Sequence, residues 1–191
     1  MECGVAQHVR LGSPANGDGY LVLEHGPRVL LAVVDGLGSG EKASRATRLA
    51  IQGVAENAEA SLTHILTYCH YTILANGAVG VMMAIMRLDS QHCALEFAGV
   101  GNVRFLAHSR GLIQPIIRYG YLGVRLPTLQ GFHYPYQPGD AFVLHTDGIS
   151  TRFHLHNHLK ELEEGAQNLA DRVLGQYGKE HDDATVVVVR T

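Results

Sequence analysis

An unbroken run of apolar residues, Val29–Val34, is the feature that most constrains how this chain can fold. Such a run is typical of a β-strand that is covered on both faces by other parts of the protein. It stops abruptly at Asp35-Gly36. Two other apolar stretches also border aspartates: Ala141–Leu144 before Asp147, and Ala184–Val189 after Asp182. The pattern predicts buried strands that end at acidic residues.

The rest of the chain predicts further strands and three helices. Helical spacing runs through Ala43–Val54 and, behind a Ser61 N-cap, through Leu62–Ile73. A third helix is predicted over Leu162–Tyr177, with Glu163 and Glu164 in its first turn and Gly178 past its end. The other predicted strands are Val5–Leu11, Tyr20–Glu24, Val79–Leu88, Ala94–Val100, Val103–Ala107, Ile113–Ile117 and Phe132–Tyr136. Strands dominate, which favours an α+β layered sandwich with antiparallel sheets over a doubly wound parallel sheet.

Composition narrows the function classes. The 191 residues suit one domain spanning 1–191, and a net charge of −3 without a basic stripe argues against nucleic-acid binding. The N-terminus lacks the basic and apolar regions of a signal peptide, and the longest apolar run, Ala78–Met86, is too short to span a membrane. Cys3, Cys69 and Cys93 fit free thiols in a reducing compartment. We therefore expect a cytoplasmic protein without a membrane partner, and a monomer by default.

The aspartates at the strand ends are candidate metal ligands. Asp35, Asp147 and Asp182 share this context, and Asp18 lies just before another predicted strand. Carboxylate and carbonyl oxygens suit Mg²⁺ or Mn²⁺, and acids gathered at one edge repel each other unless a cation neutralises them. The competing interpretation is that Asp-Gly after a strand is an ordinary turn, and the residues alone leave both open.

Five motifs, in order, resemble those of the metal-dependent protein phosphatases of the protein phosphatase 2C type. They cover nearly the whole chain: Val33–Gly40, Asn76–Gly80, Ala98–Arg104, His145–Ser150 and His181–Val189. The chain is most similar to the small bacterial SpoIIE- and RsbX-like serine/threonine phosphatases, whose Asp-Gly-Met-Gly signature resembles Asp35-Gly36-Leu37-Gly38. This resemblance implies a four-layer α-β-β-α sandwich with two antiparallel sheets and a minimal or absent flap subdomain.

The resemblance also implies two Mn²⁺ or Mg²⁺ ions and a role for each acid. Asp35 would bridge both ions, and the carbonyl of Gly36 would bind one of them. Asp147 and Asp182 would hold one ion, whereas Asp18 would mainly order water around the other. These residues would act in catalysis through water that the ions hold.

Several positions depart from the family pattern or support it indirectly. Asp183 and Asn102 would stand behind the ligands, and the choice of Asp182 over Asp183 follows the alignment alone. Leu37 replaces a histidine that acts as general acid in larger relatives, so metal-bound water would protonate the leaving oxygen. Asn102 replaces an aspartate, which argues against a third ion. No arginine grips phosphate just ahead of Asp18, where the segment reads Gly12–Asn16.

The implied function is removal of phosphate from Ser/Thr of bacterial stress-signalling proteins, namely stressosome scaffolds with STAS domains, in a negative-feedback role. One alternative is a catalytically weak pseudo-phosphatase that acts as a partner-binding regulatory module, which Leu37 and Asn102 motivate. Another is a small-molecule phosphatase.

Three other patterns suggest sites of lower specificity. The alternating histidines of His154–His158 could chelate a transition metal, but a solvated surface loop explains them more simply. Gly36–Gly40 lacks the features of a dinucleotide or phosphate loop. Tyr119–Val124 resembles the loop that precedes the flap of larger phosphatases, or is a simple turn.

Overall fold

Nine strands and four helices form two antiparallel sheets with helices outside them. The computed structural model describes residues 1–191. The strands are β1 (Glu2–His8), β2 (Asp18–His25), β3 (Arg28–Gly36), β4 (Val81–Asp89), β5 (Ala94–Val100), β6 (Arg104–His108), β7 (Phe132–Pro135), β8 (Ala141–His145) and β9 (Ala184–Arg190). The helices are α1 (Gly40–Glu56), α2 (Leu62–Ala75), α3 (Leu159–Glu163) and α4 (Ala166–Tyr177).

The layers follow from how the strands pair and where the helices pack. One sheet has the order β1-β9-β8-β6 and the other β2-β3-β4-β5-β7, with every pairing antiparallel. Helices α1 and α2 cover the outer face of the five-stranded sheet, and α3 and α4 cover that of the four-stranded sheet. The predicted α+β, four-layer α-β-β-α sandwich is therefore confirmed.

The apolar run in β3 is continuous because both faces of this strand are buried. Leu31 and Val33 point into the core between the two sheets, whereas Ala32 and Val34 point towards α1 and α2. Side chains alternate between the faces of a strand, so a sheet between two layers needs apolar residues at every position. Each large side chain that is fully buried contributes about 1.5–3 kcal/mol. The Val29–Val34 pattern predicted this arrangement correctly.

The segment between β6 and β7 was predicted wrongly in part. Ile113–Ile117 is not a strand, and residues 109–131 contain only isolated bridges and no helix. Pro115 lies inside this apolar run and has no N–H to give to a ladder. Ile113 is nevertheless buried between the sheets. The absence of a helix or strand here agrees with a minimal flap.

The long third helix was also predicted wrongly, because the chain breaks within it. Gly165 has a φ of +131°, in a region that favours glycine, and it separates α3 from α4. Glu163 consequently ends α3 instead of lying in the first turn of a longer helix. The N-terminus of α4 is satisfied from elsewhere, since the Ala166 N–H donates to Glu2 Oε1 at 2.9 Å.

Two smaller expectations can be compared with the structure. The Ser61 N-cap is confirmed, because Ser61 Oγ accepts from the His64 N–H at 3.3 Å. None of the helices is long and apolar enough to cross a lipid bilayer.

Candidate active site

The predicted acids meet at one edge of the sandwich because strands from both sheets end there. Asp18 begins β2 and lies directly opposite Asp35 of β3 in the antiparallel register. Asp147 follows β8, and Asp182 precedes β9, in the other sheet. Asp35 therefore lies close enough to Asp147 and Asp182 for their charges to act on it. Acids carried by both sheets therefore lie near one another at this edge.

A buried threonine joins the two halves of this edge. Thr146, which has no exposed surface, donates its hydroxyl hydrogen to Asp18 Oδ2 at 2.6 Å. The same Oγ1 accepts from the Thr185 N–H at 3.0 Å. Asp18 is thereby hydrogen-bonded to the four-stranded sheet although it belongs to the five-stranded one. Thr146 was not among the residues predicted from the sequence, where its only signal was a polar residue between an apolar strand and a candidate ligand.

Asp183 is fully engaged by backbone hydrogen bonds. Its Oδ1 accepts from the Arg10 N–H at 2.9 Å and its Oδ2 from the Gly17 N–H at 2.8 Å. The carboxylate therefore fixes the loop ahead of Asp18 against the start of β9. Each of its oxygens already accepts one backbone hydrogen bond, whereas the Asp182 carboxylate accepts none.

Asn102 contacts the acids from the loop between β5 and β6. Its Nδ2 donates to Asp147 Oδ2 at 2.7 Å, and the amide also lowers the pKa of Asp35 by hydrogen bonding. Its Oδ1 is buried and has no hydrogen-bond partner. An unpaired buried acceptor costs about 1–3 kcal/mol, so this oxygen requires a donor that the protein itself does not supply.

Burial and mutual repulsion make two of the carboxyl groups reluctant to ionise. The pKa of Asp18 is raised to about 8, mainly by burial and also by the charges of Asp35 and Asp183, against the opposing effect of the Thr146 hydrogen bond. Burial raises the pKa of Asp35 to about 7, assisted by the charges of Asp147 and Asp182. Nearby positive charge would favour the ionised form of both groups.

Glycines allow the close packing of this edge. A Cβ on Gly36 would lie 2.7 Å from the Ala43 carbonyl oxygen and 2.9 Å from the Gly17 carbonyl oxygen. A Cβ on Gly148 would overlap the backbone of Asp183. A side chain at either position would force apart the segments that carry the acids.

The residues present fit a hard divalent cation, although the acids do not close into a ligand set by themselves. No group of three or more His, Cys, Asp or Glu side chains is near enough together to hold a metal ion. The available donors are nevertheless carboxylate and carbonyl oxygens, which such cations prefer. The unpaired Asn102 Oδ1 beside Asp147 would be satisfied by a hydrogen of a cation's hydration water.

A cavity of about 290 Å³ opens beside Asp147, and sequence reasoning did not anticipate it. Its walls include Asn102, Arg104, His145 and Lys179. Lys179 Nζ donates to the Asp147 carbonyl oxygen. Burial lowers the pKa of His145 to about 4, and its Nδ1 lies 2.8 Å from the Thr146 carbonyl oxygen, so Nδ1 carries the hydrogen of a neutral ring.

The histidine tract is not simply a solvated loop. Residues Leu155–Asn157 form a 3₁₀ turn, and His158 is buried with its Nε2 2.8 Å from Tyr177 Oη. His154 and His156 stay exposed and lie beside each other. The solvated-loop interpretation is therefore wrong for His158, which packs against Phe153 and Tyr177.

Comparisons with known proteins agree on one group of relatives. The family model for Stage II sporulation protein E (SpoIIE) matches residues 25–191. The phosphoserine phosphatase RsbX of Bacillus subtilis (strain 168) is 28% identical over 153 residues, which cover 78% of this chain and 75% of that protein.

Two solved structures share the fold closely. One comes from work on the bacterial stressosome as a modular system adapted to control secondary messenger signalling. It has a TM-score of 0.93 and 32% identity, covering 99% of this chain and 98% of that one. The other is RsbX in complex with magnesium, with a TM-score of 0.86 and 25% identity, covering 96% of this chain and 92% of that one.

Proposed function

Because this chain belongs to the SpoIIE family of protein phosphatases of the 2C type, we propose that it hydrolyses phosphoserine or phosphothreonine in a protein substrate. One observation carries the proposal: carboxylates from two different sheets converge at one edge. The charges of Asp147 and Asp182 raise the pKa of Asp35, although Asp35 lies in the five-stranded sheet and the other two acids adjoin the four-stranded sheet. Repulsion between neighbouring carboxylates raises their pKa values, and a bound cation would relieve it.

The proposed ligand set uses these acids for two divalent ions, Mg²⁺ or Mn²⁺. Asp35 would contact both ions, and Asp147 and Asp182 would hold one of them. Asp18 would order water around the other ion, and the Gly36 carbonyl would bind that ion. When bound, a pair of such ions lowers the pKa of water and withdraws charge from phosphoryl oxygens. The similar structure of RsbX in complex with magnesium supports the choice of cation.

The surrounding residues would keep the acids in position. Thr146 holds Asp18 at 2.6 Å and Asn102 holds Asp147 at 2.7 Å, so each carboxylate presents a fixed free oxygen. Asp183 uses both oxygens on the backbone of residues 10 and 17, and we propose that it only fixes the loop ahead of Asp18. Such pre-organisation lowers the reorganisation needed when a substrate arrives.

We further propose that the substrate is a stress-signalling protein. RsbX is named as a phosphoserine phosphatase, and the stressosome-related structure resembles nearly the whole chain. The proposed targets are phosphorylated STAS-domain proteins of a stressosome, with dephosphorylation as negative feedback. Residues 1–191 would act as a single catalytic domain.

Hydrolysis of a phosphorylated STAS-domain protein tests this proposal. Inorganic phosphate release is measured with Mn²⁺, with Mg²⁺ and with EDTA. We expect release only with a divalent ion, and a decrease of at least about 100-fold for Asp35→Asn, because the ions are expected to provide several kcal/mol.

An exposed carboxylate provides the matched control. Asp171→Asn makes the same chemical change on the surface of α4 and should retain wild-type activity. p-Nitrophenyl phosphate is assayed in parallel, because a docking-dependent enzyme hydrolyses a small ester poorly. Full activity of Asp35→Asn on the phosphoprotein would refute the proposal. Phosphoprotein binding without hydrolysis would identify a pseudo-phosphatase instead.

A further inference from the structure

The cavity beside Asp147 contains two cationic side chains that lack acidic partners. Arg104 and Lys179 both line it, next to Asn102 and Asp147. Neither cation takes part in any of the ion pairs of the molecule. The chain has a net charge of −3, yet two cations without acidic partners lie together at the acidic edge.

Both cations are held at this place by the fold. Arg104 begins β6 and lies opposite His145 of β8. Because His145 is two residues before Asp147, the sheet register holds the Arg104 backbone near Asp147. Lys179 donates to the Asp147 carbonyl oxygen, which uses one of its three hydrogens. Two donors of Lys179 and the guanidinium fork of Arg104 remain available to a ligand.

The chemistry of these donors selects an oxyanion. A guanidinium group offers parallel N–H donors that match two oxygens of a phosphate, and an ammonium group adds a compact positive charge. Ser150 and Thr151 contribute hydroxyl groups to the same wall. A neutral or cationic ligand would leave the two charges uncompensated.

We propose that Arg104 and Lys179 form an anion subsite that binds the phosphoryl group of the phosphomonoester substrate, in the cavity beside Asp147. This proposal rests on the proposed function and names the side chains that hold the substrate's phosphate. It also accounts for the segment Gly12–Asn16, which offers no arginine for that task. Arg10 is the alternative cation at this edge, but its backbone N–H, and not its guanidinium group, contacts Asp183.

Binding of inorganic phosphate to the Mg²⁺-saturated protein, measured by calorimetry, is the first test. We expect Arg104→Ala to weaken binding about tenfold or more, with Arg104→Lys in between, because a bidentate charge-assisted contact is lost. Arg110→Ala is the matched control, since Arg110 is exposed beyond the opposite end of β6. Lys179→Gln should weaken binding in the same direction.

Kinetics on the phosphorylated protein supply the second readout. Arg104→Ala should raise KM for substrate and the inhibition constant of phosphate by similar factors, with a smaller change in kcat. Equal phosphate affinity of the Arg104→Ala and Arg110→Ala variants would overturn the proposal, as would loss of binding in Arg10→Ala alone. A wild-type protein that binds phosphate through Arg104 without turning over would refute only the proposed function. Turnover that is insensitive to Arg104 would refute only the subsite.

Discussion

Replacing Asp18 by asparagine should stabilise the ion-free protein at neutral pH. Asp18 is 7% exposed, and its pKa rises from 3.8 to about 8. The native state therefore holds a proton that the unfolded chain has already released between these pH values, so stability falls as pH rises through this window. An amide of the same shape removes the ionisation and can still accept the hydrogen bond from Thr146.

The magnitude follows from the pKa. At about 1.36 kcal/mol per unit, the rise corresponds to about 5 kcal/mol at pH 7.5. Asp35 shares the repulsion, and removing one charge relieves the other, so we expect Asp18→Asn to recover about 2–5 kcal/mol. At pH 4 the difference between the two proteins should nearly vanish, because Asp18 is then largely protonated in the native state.

Urea unfolding of wild type and Asp18→Asn, in EDTA at pH 4, 6 and 7.5, measures this difference. Asp171→Asn on the surface of α4 controls for a simple change in net charge. With saturating Mg²⁺ the order should reverse, since ions that bind only the native state stabilise wild type more. An Asp18→Asn variant with the same pH dependence as wild type in EDTA would refute the reasoning.

Three further substitutions test the packing at the acidic edge, at the start of α2 and in the core between the sheets. Gly148→Ala should reduce Mn²⁺ affinity in calorimetry, because the new Cβ overlaps the Asp183 backbone; unchanged affinity would contradict this contact. Ser61→Ala should lower stability by about 1 kcal/mol in thermal unfolding, through loss of the α2 cap to His64, and an unaltered Tm would argue against the cap. Phe142→Ala should cost about 3–5 kcal/mol in urea, because this ring is fully buried between the sheets, and a cost below 1 kcal/mol would mean that the core closes around the gap.

Burial on both sides of a strand was visible in the sequence, whereas local backbone geometry was not. The unbroken run Val29–Val34 left few alternatives to a strand between two layers, and β3 occupies it. Ile113–Ile117 has three isoleucines, but Gln114 and Pro115 interrupt them, Pro115 has no N–H for a ladder, and the segment forms no strand. Gly165 looked like one more residue of a helix, although its φ of +131° ends the helical path there.

The candidate site was partly accessible for a similar reason. Asp35 and Asp147 could be chosen because each follows an apolar strand, and family resemblance supplied their roles. The register that sets Asp18 opposite Asp35, and the hydrogen bond from Thr146, depend on how the sheets are arranged in space. Arg104 and Lys179 are far apart in the chain, so only the fold reveals that they line one cavity.

The hydrogen bonds from Thr146 to Asp18 and from Gly17 to Asp183 have a mechanical consequence. The two sheets share no backbone ladder, so the apolar interior and a few side-chain hydrogen bonds, including that from Gln7 to the Asp18 carbonyl oxygen, resist sliding of one layer over the other. Because Asp18 and Asp35 move with one sheet and Asp147 and Asp182 with the other, sliding of the sheets would change the distances between these acids. A substitution deep in the interlayer core, far from any ligand, would alter ion affinity by changing the resting offset of the sheets. A partner that binds α1 and α4 together would then change the spacing of the acids without contacting them.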